Sequence, residues 1–352
     1  MRIAIFNVEN LFSRAKVLNL DSRVRTGEIL AKIGQLEDLL QAPVYDKATI
    51  FQLYEELKTY IEIDENKGKL FKKSGQAIVG IAANGVADWD GSIQFKRADF
   101  SEQTRISTAE VIKSLKADIQ CLVEVEDRPA MNDFGTDLIA SKFAFNMCID
   151  GNDPRGIDVG VYSKFPIENI KTNIFLKQGR SKVFSRDCLE LTFKLPNGKN
   201  LFLLLNHFKS KMNNNAAADA RRRNQADMVK SILTQRYDLI NDFVVVAGDF
   251  NDTPDSAVLQ SLLSTPNLTD VLELKFGPYQ KNHPDRWTYK FKNEFNQIDF
   301  ILVSKPLKDV FKDAGMERRG LFGIAGNPTF ASVVSKKTSA SDHAAVWADF
   351  NL

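Results

Sequence analysis

The chain has 352 residues, 43% hydrophobic and 26% charged, a globular composition that excludes a disordered, collagen-like or coiled-coil polypeptide. Such a length suits either two domains of about 150 residues or one large α/β body, and it buries enough surface to need no disulfide or structural metal. Lys and Arg number 47 against 45 Asp and Glu, a net charge of +2, so no global field selects a polyanionic partner and any such preference must come from local patches.

Cys121, Cys148 and Cys188 are odd in number and form no CxxC pair, which excludes a fully paired framework and suits a reducing compartment. The longest aliphatic runs, 201–205 and 243–247, are far short of the roughly 18 residues of a membrane span. The opening MRIAIFNVENLF has one Arg and only a brief apolar run before Asn7 and Glu9, a poor secretion signal and a good first strand. The expectation is a soluble, cytoplasmic protein with no membrane partner.

In chain order, residues 2–8 read as the first strand. Residues 13–100 break the pattern that follows: two amphipathic helical stretches, 28–40 and 48–61, flank Pro43, and a loop-like region with Gly75, Gly80, Gly85 and Gly91 comes after. This segment is expected to be a mainly helical insertion within a single domain spanning 1–352, serving as a lid, a partner surface or a decoration. Ile106, Ala109, Ile112 and Leu115 keep helical spacing ahead of a strand at 119–125. Further strands are expected at 159–163, 188–193, 201–208, 243–250, 298–303 and 344–350. Pro196-Asn197-Gly198 between two of them signals a hairpin, because Asn-Gly accepts the positive φ of a tight turn. A long helix is expected over 217–237, with Ala226, Val229, Ile232 and Leu233 inward and Arg221, Arg222 and Arg223 outward. Thr253-Pro254-Asp255 reads as an N-cap followed by Pro at the first helical position. Strands and helices alternating without long linkers imply a layered α/β sandwich.

Polar residues recur at the ends of these apolar strands. Asn7 and Glu9, His207 and Lys209, and Asp249 and Asn251 are each spaced i, i+2, which places both members on one face of a strand. Glu124 closes the run 119–123, Asp299 opens 299–303, and Asp342-His343 precedes the last strand. Singly, each has a bland reading: a turn or cap residue, a satisfied core histidine, or solvated lysines and arginines. Repeated at many strand ends, they place ionisable groups around one crevice, a charge density that a fold tolerates when a cation or substrate neutralises it. Oxygen ligands without a Cys or multi-His cluster point to Mg²⁺ or Mn²⁺. Such an ion with histidines and basic neighbours fits phosphoryl chemistry.

The ordered set Asn7-Val8-Glu9-Asn10, Cys121-Leu122-Val123-Glu124, Asn206-His207-Phe208-Lys209-Ser210, Gly248-Asp249-Phe250-Asn251, Ile298-Asp299-Phe300 and Ser341-Asp342-His343 resembles the endonuclease/exonuclease/phosphatase (DNase I-like) superfamily. The resemblance implies an α/β, four-layered αββα sandwich with its active site at one end of the two sheets. It implies Glu124 as principal metal ligand with Asn7, Glu9 and Asp342 nearby, Asp249 positioning or deprotonating the attacking water, and Asn251 fixing its geometry. His343 would face the phosphate, oriented by Asp299, and His207 matches the second histidine of the DNase I-like branch. Asn206, Lys209, Arg155 and Arg186 would bind substrate, the two arginines in segments that resemble phosphate-facing loops. Trp287 and Tyr289 read either as core or as a surface on which a base stacks.

The implied activity is Mg²⁺- or Mn²⁺-dependent hydrolysis of a P–O bond by in-line water attack, with nucleic acid as substrate. The alternative is a phosphatase or phosphodiesterase acting on a small or lipid phosphate, and a catalytically inactive binding protein is a third reading. Near-zero net charge weighs against a nuclease, unless Lys209, Lys211 and Arg221–Arg223, or Arg180, Lys182 and Arg186, supply a local basic groove.

Overall fold

A computed structural model describes residues 1–9, 15–19, 23–96, 102–139, 142–153, 155–179, 181–211 and 216–352. Asn10 of the first motif, Arg180 of the basic stretch and the 213–215 asparagine run lie outside the described residues. The chain divides into two compact units, Ser13–Asp99 and the remainder, Met1–Phe12 with Phe100–Leu352.

The chain enters on β1 (Arg2–Asn7). The 13–99 unit then supplies α1 (Arg23–Leu40) and α2 (Lys47–Leu57), followed by β2 (Ile61–Gly68), β3 (Phe71–Ser74), β4 (Ala77–Ile81) and β5 (Trp89–Phe95). Asp46 caps α2 by accepting the Thr49 amide at 3.2 Å, satisfying one of the donors a helix start leaves open. Ile33, Leu36 and Leu40 of α1 pack with Ile50, Leu53 and Leu57 of α2 and with Ile61, Phe71, Ile81 and Phe95 in a core of this unit's own. The expectation of a mainly helical segment is corrected. Where a glycine-rich loop was anticipated, β2 pairs with β5 and β3 with β4, all antiparallel.

The second unit resumes with α3 (Glu102–Leu115), β6 (Ile119–Val125), α4 (Arg128–Phe134), β7 (Phe145–Ile149), β8 (Asp158–Ser163) and β9 (Ile167–Lys171). After the short pair β10 (Lys177–Gln178) and β11 (Ser181–Lys182) come β12 (Cys188–Lys194), β13 (Asn200–His207), α5 (Ala216–Arg236) and β14 (Phe243–Asp249). The chain closes with α6 (Gln260–Leu263), β15 (Leu268–Asp270), α7 (Val271–Phe276), β16 (Tyr289–Phe291), β17 (Glu294–Asn296), β18 (Asp299–Ser304), α8 (Lys305–Asp309), β19 (Phe311–Glu317) and β20 (Ala345–Phe350).

Two six-stranded sheets result, ordered β19-β20-β1-β6-β8-β7 and β15-β18-β14-β13-β12-β9. Strand alternation decides what each face does. Ile3, Ile5, Cys121 and Val161 of the first sheet meet Leu203, Leu205, Val245 and Ile301 of the second in one buried layer. On the outer faces, Leu204, Val246 and Phe300 pack on Ala226, Val229 and Leu233 of α5, while Phe6 and Leu122 pack on Ile112 of α3 and Met131 of α4. The product is the αββα sandwich. The Asn197-Gly198 turn joins β12 to β13, with Gly198 at φ 79°. The helix expected after Thr253 starts later. Bonds spanning three residues, Ser256 N to Thr253 O (3.0 Å) and Leu259 N to Ser256 O (3.1 Å), carry the chain through turns to α6.

Candidate active site

Register builds the site. His207 on β13 pairs with Asp249 on β14, and Asp249 pairs in turn with Asp299 on β18, so three neighbouring strands present them in one row. In the facing sheet β1 runs parallel to β6 with Asn7 opposite Val123, and a register shift at Glu124 interrupts the β6–β8 ladder. Glu9, Glu124 and Asn251 have φ of 52°, 67° and 53°, left-handed backbone that non-glycine residues hold only where surrounding contacts enforce it.

The buried Asp249 carboxylate is the hub. Asn7 Nδ2 donates to its Oδ2 at 3.1 Å. The Asn251 amide donates to its Oδ1 at 2.8 Å, and Asn251 Nδ2 to its Oδ2 at 3.1 Å. His207 Nε2 lies 3.7 Å from Asp249 Oδ2 and 3.8 Å from Glu124 Oε1. Burial pushes the Asp249 carboxyl up to about 7, with Asp299 and Glu124 adding to the rise and His343 opposing it. Burial also drives His207 well below an ordinary imidazole, helped by Arg186, Arg155 and His343; it is therefore neutral at pH 7.

His343 behaves in the opposite way. Burial works against its charge, but Asp299, Asp342 and Asp249 outweigh it and hold the pKa well above the usual value. Its Nδ1 bonds Asp299 Oδ2 at 2.9 Å, leaving Nε2 as the outward donor of an imidazolium. Asp299 is fixed by its own amide, which donates to Thr288 Oγ1 at 3.2 Å. Ser341 Oγ donates to Asn7 O at 2.7 Å and accepts the His343 amide at 3.0 Å, tying the last strand to the first. The Tyr289 ring lies 4.8 Å from the His343 ring. Trp287 is buried with Leu321 and Ala344.

A cationic group adjoins this cluster. Arg155 grips Asp153 with two bonds, Nε to Oδ1 at 2.8 Å and Nη2 to Oδ2 at 2.6 Å. Arg186, 2% exposed, donates from Nη2 to Phe208 O at 2.6 Å and from Nη1 to Asp153 Oδ2 at 3.5 Å. Both arginines feel the charge of Glu124. Burial and these two arginines lower the Lys209 pKa.

The sequence-derived residues thus fall into groups. Asn7, Glu124, His207, Asp249, Asn251, Asp299 and His343 come together. Asp342 is more exposed, with Oδ1 3.8 Å from His343 Nε2, and Glu9 sits one turn beyond Asn7, its amide donating to Asn7 Oδ1 at 3.0 Å. Asn206 is not brought into the cluster, because its neighbour His207 takes the site-facing alternation; its buried amide donates to Leu204 O at 3.1 Å. Lys211 is not a free surface cation, being paired with Asp252. Arg222, expected to point outward, is fully buried. Asp153 and Thr288 carry no local pattern that marks them as site residues, and Ser341 stands in the Ser341-Asp342-His343 motif without a role assigned to it from the sequence.

The donor set fits a hard divalent ion. Asp249, Asp299 and His343 offer ligand atoms within 4.8 Å of one another, but His343 Nδ1 is committed to Asp299 and its ring is cationic. The oxygens of Glu124 and Asn7 are the better match. An Asp249 carboxyl raised by burial and by the charges of Asp299 and Glu124, with Asp299 Oδ1 buried and unpartnered, is what a cation would relieve.

The profile of the Endonuclease/Exonuclease/phosphatase family matches residues 93–343. The chain belongs to that family. Its members are hydrolases that act on phosphoester bonds, and as a class they depend on divalent metals. Solved structures share the fold: humanized D. rerio TDP2 with 14 mutations (16% identity, 72% of this chain and 94% of that one, TM-score 0.51), the human Nocturnin catalytic domain with bound sulfate (18%, 71% and 86%, 0.50), and an endonuclease/exonuclease/phosphatase from Bacteroides vulgatus (18%, 71% and 91%, 0.50). No curated protein matches the chain. Among the described residues no helix is long and apolar enough to cross a membrane.

Proposed function

We propose that this family member is a Mg²⁺- or Mn²⁺-dependent nuclease that cleaves a phosphodiester by in-line attack of water. The observation that carries the reading is geometric: within one cluster Asn7 and Asn251 hold the Asp249 carboxyl, whose pKa burial raises, and Asp299 holds the His343 ring at 2.9 Å and favours its charged form. Two groups whose surroundings push their protonation apart are what acid–base hydrolysis requires.

Asp249, fixed by Asn7 and Asn251, accepts a proton from the attacking water. Asn251, anchored to Phe208 O at 3.1 Å, keeps that carboxylate and the water in line with phosphorus. His343 Nε2 donates to a phosphoryl oxygen as negative charge builds there, and Asp299 prevents the ring from turning. Arg155, Arg186 and Lys209 supply positive potential for the substrate's remaining oxygens. A divalent ion held by Glu124 with Asn7, Glu9 and Asp342 nearby would polarise the phosphoryl group.

Nucleic acid is favoured by the β16–β17 hairpin, whose Tyr289 bridges to His343. The hairpin carries exposed Phe291 (42%) between Lys290 and Lys292, an aromatic and basic surface suited to bases and phosphates. A small phosphorylated molecule is the second reading, favoured by the net charge of +2 and by the engagement of both arginines with Asp153. Purified protein with Mn²⁺ is to be assayed against plasmid DNA, single-stranded RNA and a panel of phosphomonoesters. Cleavage of nucleic acid that EDTA stops and Mn²⁺ restores supports the proposal. Turnover confined to phosphomonoesters selects the second reading, and turnover in metal-stripped protein contradicts both.

A further inference from the structure

Arg222 lies in the N-terminal third of α5, on the stripe Ala218, Arg222, Gln225, Ala226, Val229 that packs inward. A guanidinium with no solvent exposure is costly unless its donors are used. Nε donates to Asp252 Oδ2 at 3.2 Å, Nη1 to Lys209 O at 3.1 Å, and Nη2 to Asp219. Asp252 is itself buried, also takes Lys211, and accepts the Thr253 amide on Oδ1 at 3.0 Å. Next to Arg222 on the same face, Gln225 Oε1 accepts the Lys209 amide at 2.8 Å. One helix therefore grips two loops: the loop after β13, which carries Lys209, and the loop after β14, which carries Asn251 one residue before Asp252.

We propose that Arg222 is a positioning residue that locks these two loops together, setting Asn251 in its left-handed backbone (φ 53°) beside Asp249 while fixing the Lys209 backbone opposite. The proposal rests on the hydrolytic reading of the site for its kinetic consequence but not for its structural one. Packing alone does not select arginine here, since apolar residues fill buried ion-pair positions at no loss of stability. The clamp explains the choice: only a planar fork with five donors reaches a carboxylate and a backbone carbonyl on separate loops at once.

The test uses the full chain with Arg222→Met and Arg222→Lys, measuring amide hydrogen exchange and hydrolysis of bis(p-nitrophenyl) phosphate with Mn²⁺. In Arg222→Met, amides in 208–211 and 250–253 should exchange about tenfold faster or more, while those of β13 and β14 keep their protection. In the same variant kcat should fall on the order of 10- to 100-fold, as small misplacements do, with KM moving less than about threefold. Arg222→Lys, which keeps the charge without the fork, should recover part of the rate. If Arg222→Met does not fold, Asp252→Ala removes the acceptor on one side of the clamp and should loosen 250–253 while leaving the Lys209 amide protected by Gln225. Unchanged exchange in both loops, loosening spread evenly over the fold, or kcat within about twofold of the unsubstituted chain would overturn the proposal. An unsubstituted chain that hydrolyses no phosphoester would defeat the proposed function instead, and exchange alone would then decide the clamp.

Discussion

The two sides of the site are built by different means. His207, Asp249 and Asp299 stand on adjacent strands whose pairing puts them side by side; sheet register determines their geometry. Arg155, Arg186 and Lys209 sit on connecting segments, and what orders them is a second set of polar contacts: Asp153, the Phe208 carbonyl, Gln225 and Arg222. The lesson is that chemistry demanding fixed proton positions is placed on rigid elements, while the charge that receives substrate is placed where loops can be tuned.

Substitutions on the register side should abolish chemistry and spare the fold. Asp249→Asn keeps shape and loses the base, so kcat for bis(p-nitrophenyl) phosphate should fall on the order of 10²- to 10⁴-fold, while the urea midpoint near pH 7 should rise, because the substitution removes a carboxyl whose charge burial disfavours. On the loop side the larger effect should be on stability. Arg186→Met leaves Asp153 with only Arg155 in a buried setting, which should cost about 3 kcal/mol in urea unfolding. Equal stability in the two variants would erase the distinction.

Acid titration of metal-free protein should separate the sides further. Asp249 has a folded pKa raised to about 7, above the usual carboxylate value of about 3.9. Its contribution is therefore complete below about pH 4 and is lost as pH rises toward 7. Asp153 is the reverse: Arg155 and Arg186 overcome its burial and hold it down at about 2. Its contribution is present above about pH 4 and disappears as pH falls through 2. Asp249→Asn should flatten the urea midpoint between pH 4 and 7, and Asp153→Asn should flatten it below 4. Flattening in the opposite windows would show that the charges are misassigned. The smallest effect is expected at the hairpin. Lys290→Ala with Lys292→Ala should raise KM for DNA a few-fold and reduce its salt dependence by up to about two counterions, leaving bis(p-nitrophenyl) phosphate hydrolysis unaltered.

The same contrast explains what could be read from the sequence. Eight of the twelve sandwich strands and the polar residues at their tips are legible, because runs such as FVVVAGD (β14) are hydrophobic on both faces and end in a charge, whereas the edge strands β7, β9, β15 and β19 are not. The strands of the 13–99 unit were not, since IEIDENKG (β2) and FKKS (β3) are mostly exposed and polar, leaving little alternation to detect. Arg222 was within reach: it precedes Ala226 by four and Val229 by seven, so helical spacing turns it inward, but three consecutive arginines suggested a wet face. The burial of Arg186 and the role of Asp153 had no local signal, because both depend on loops meeting in space.

The account turns most directly on His343. Under saturating Mn²⁺, His343→Ala should lower the single-turnover rate of phosphodiester hydrolysis on the order of 10²-fold or more, while circular dichroism and melting temperature stay those of a folded protein. A folded His343→Ala variant that hydrolyses at the original rate would contradict it.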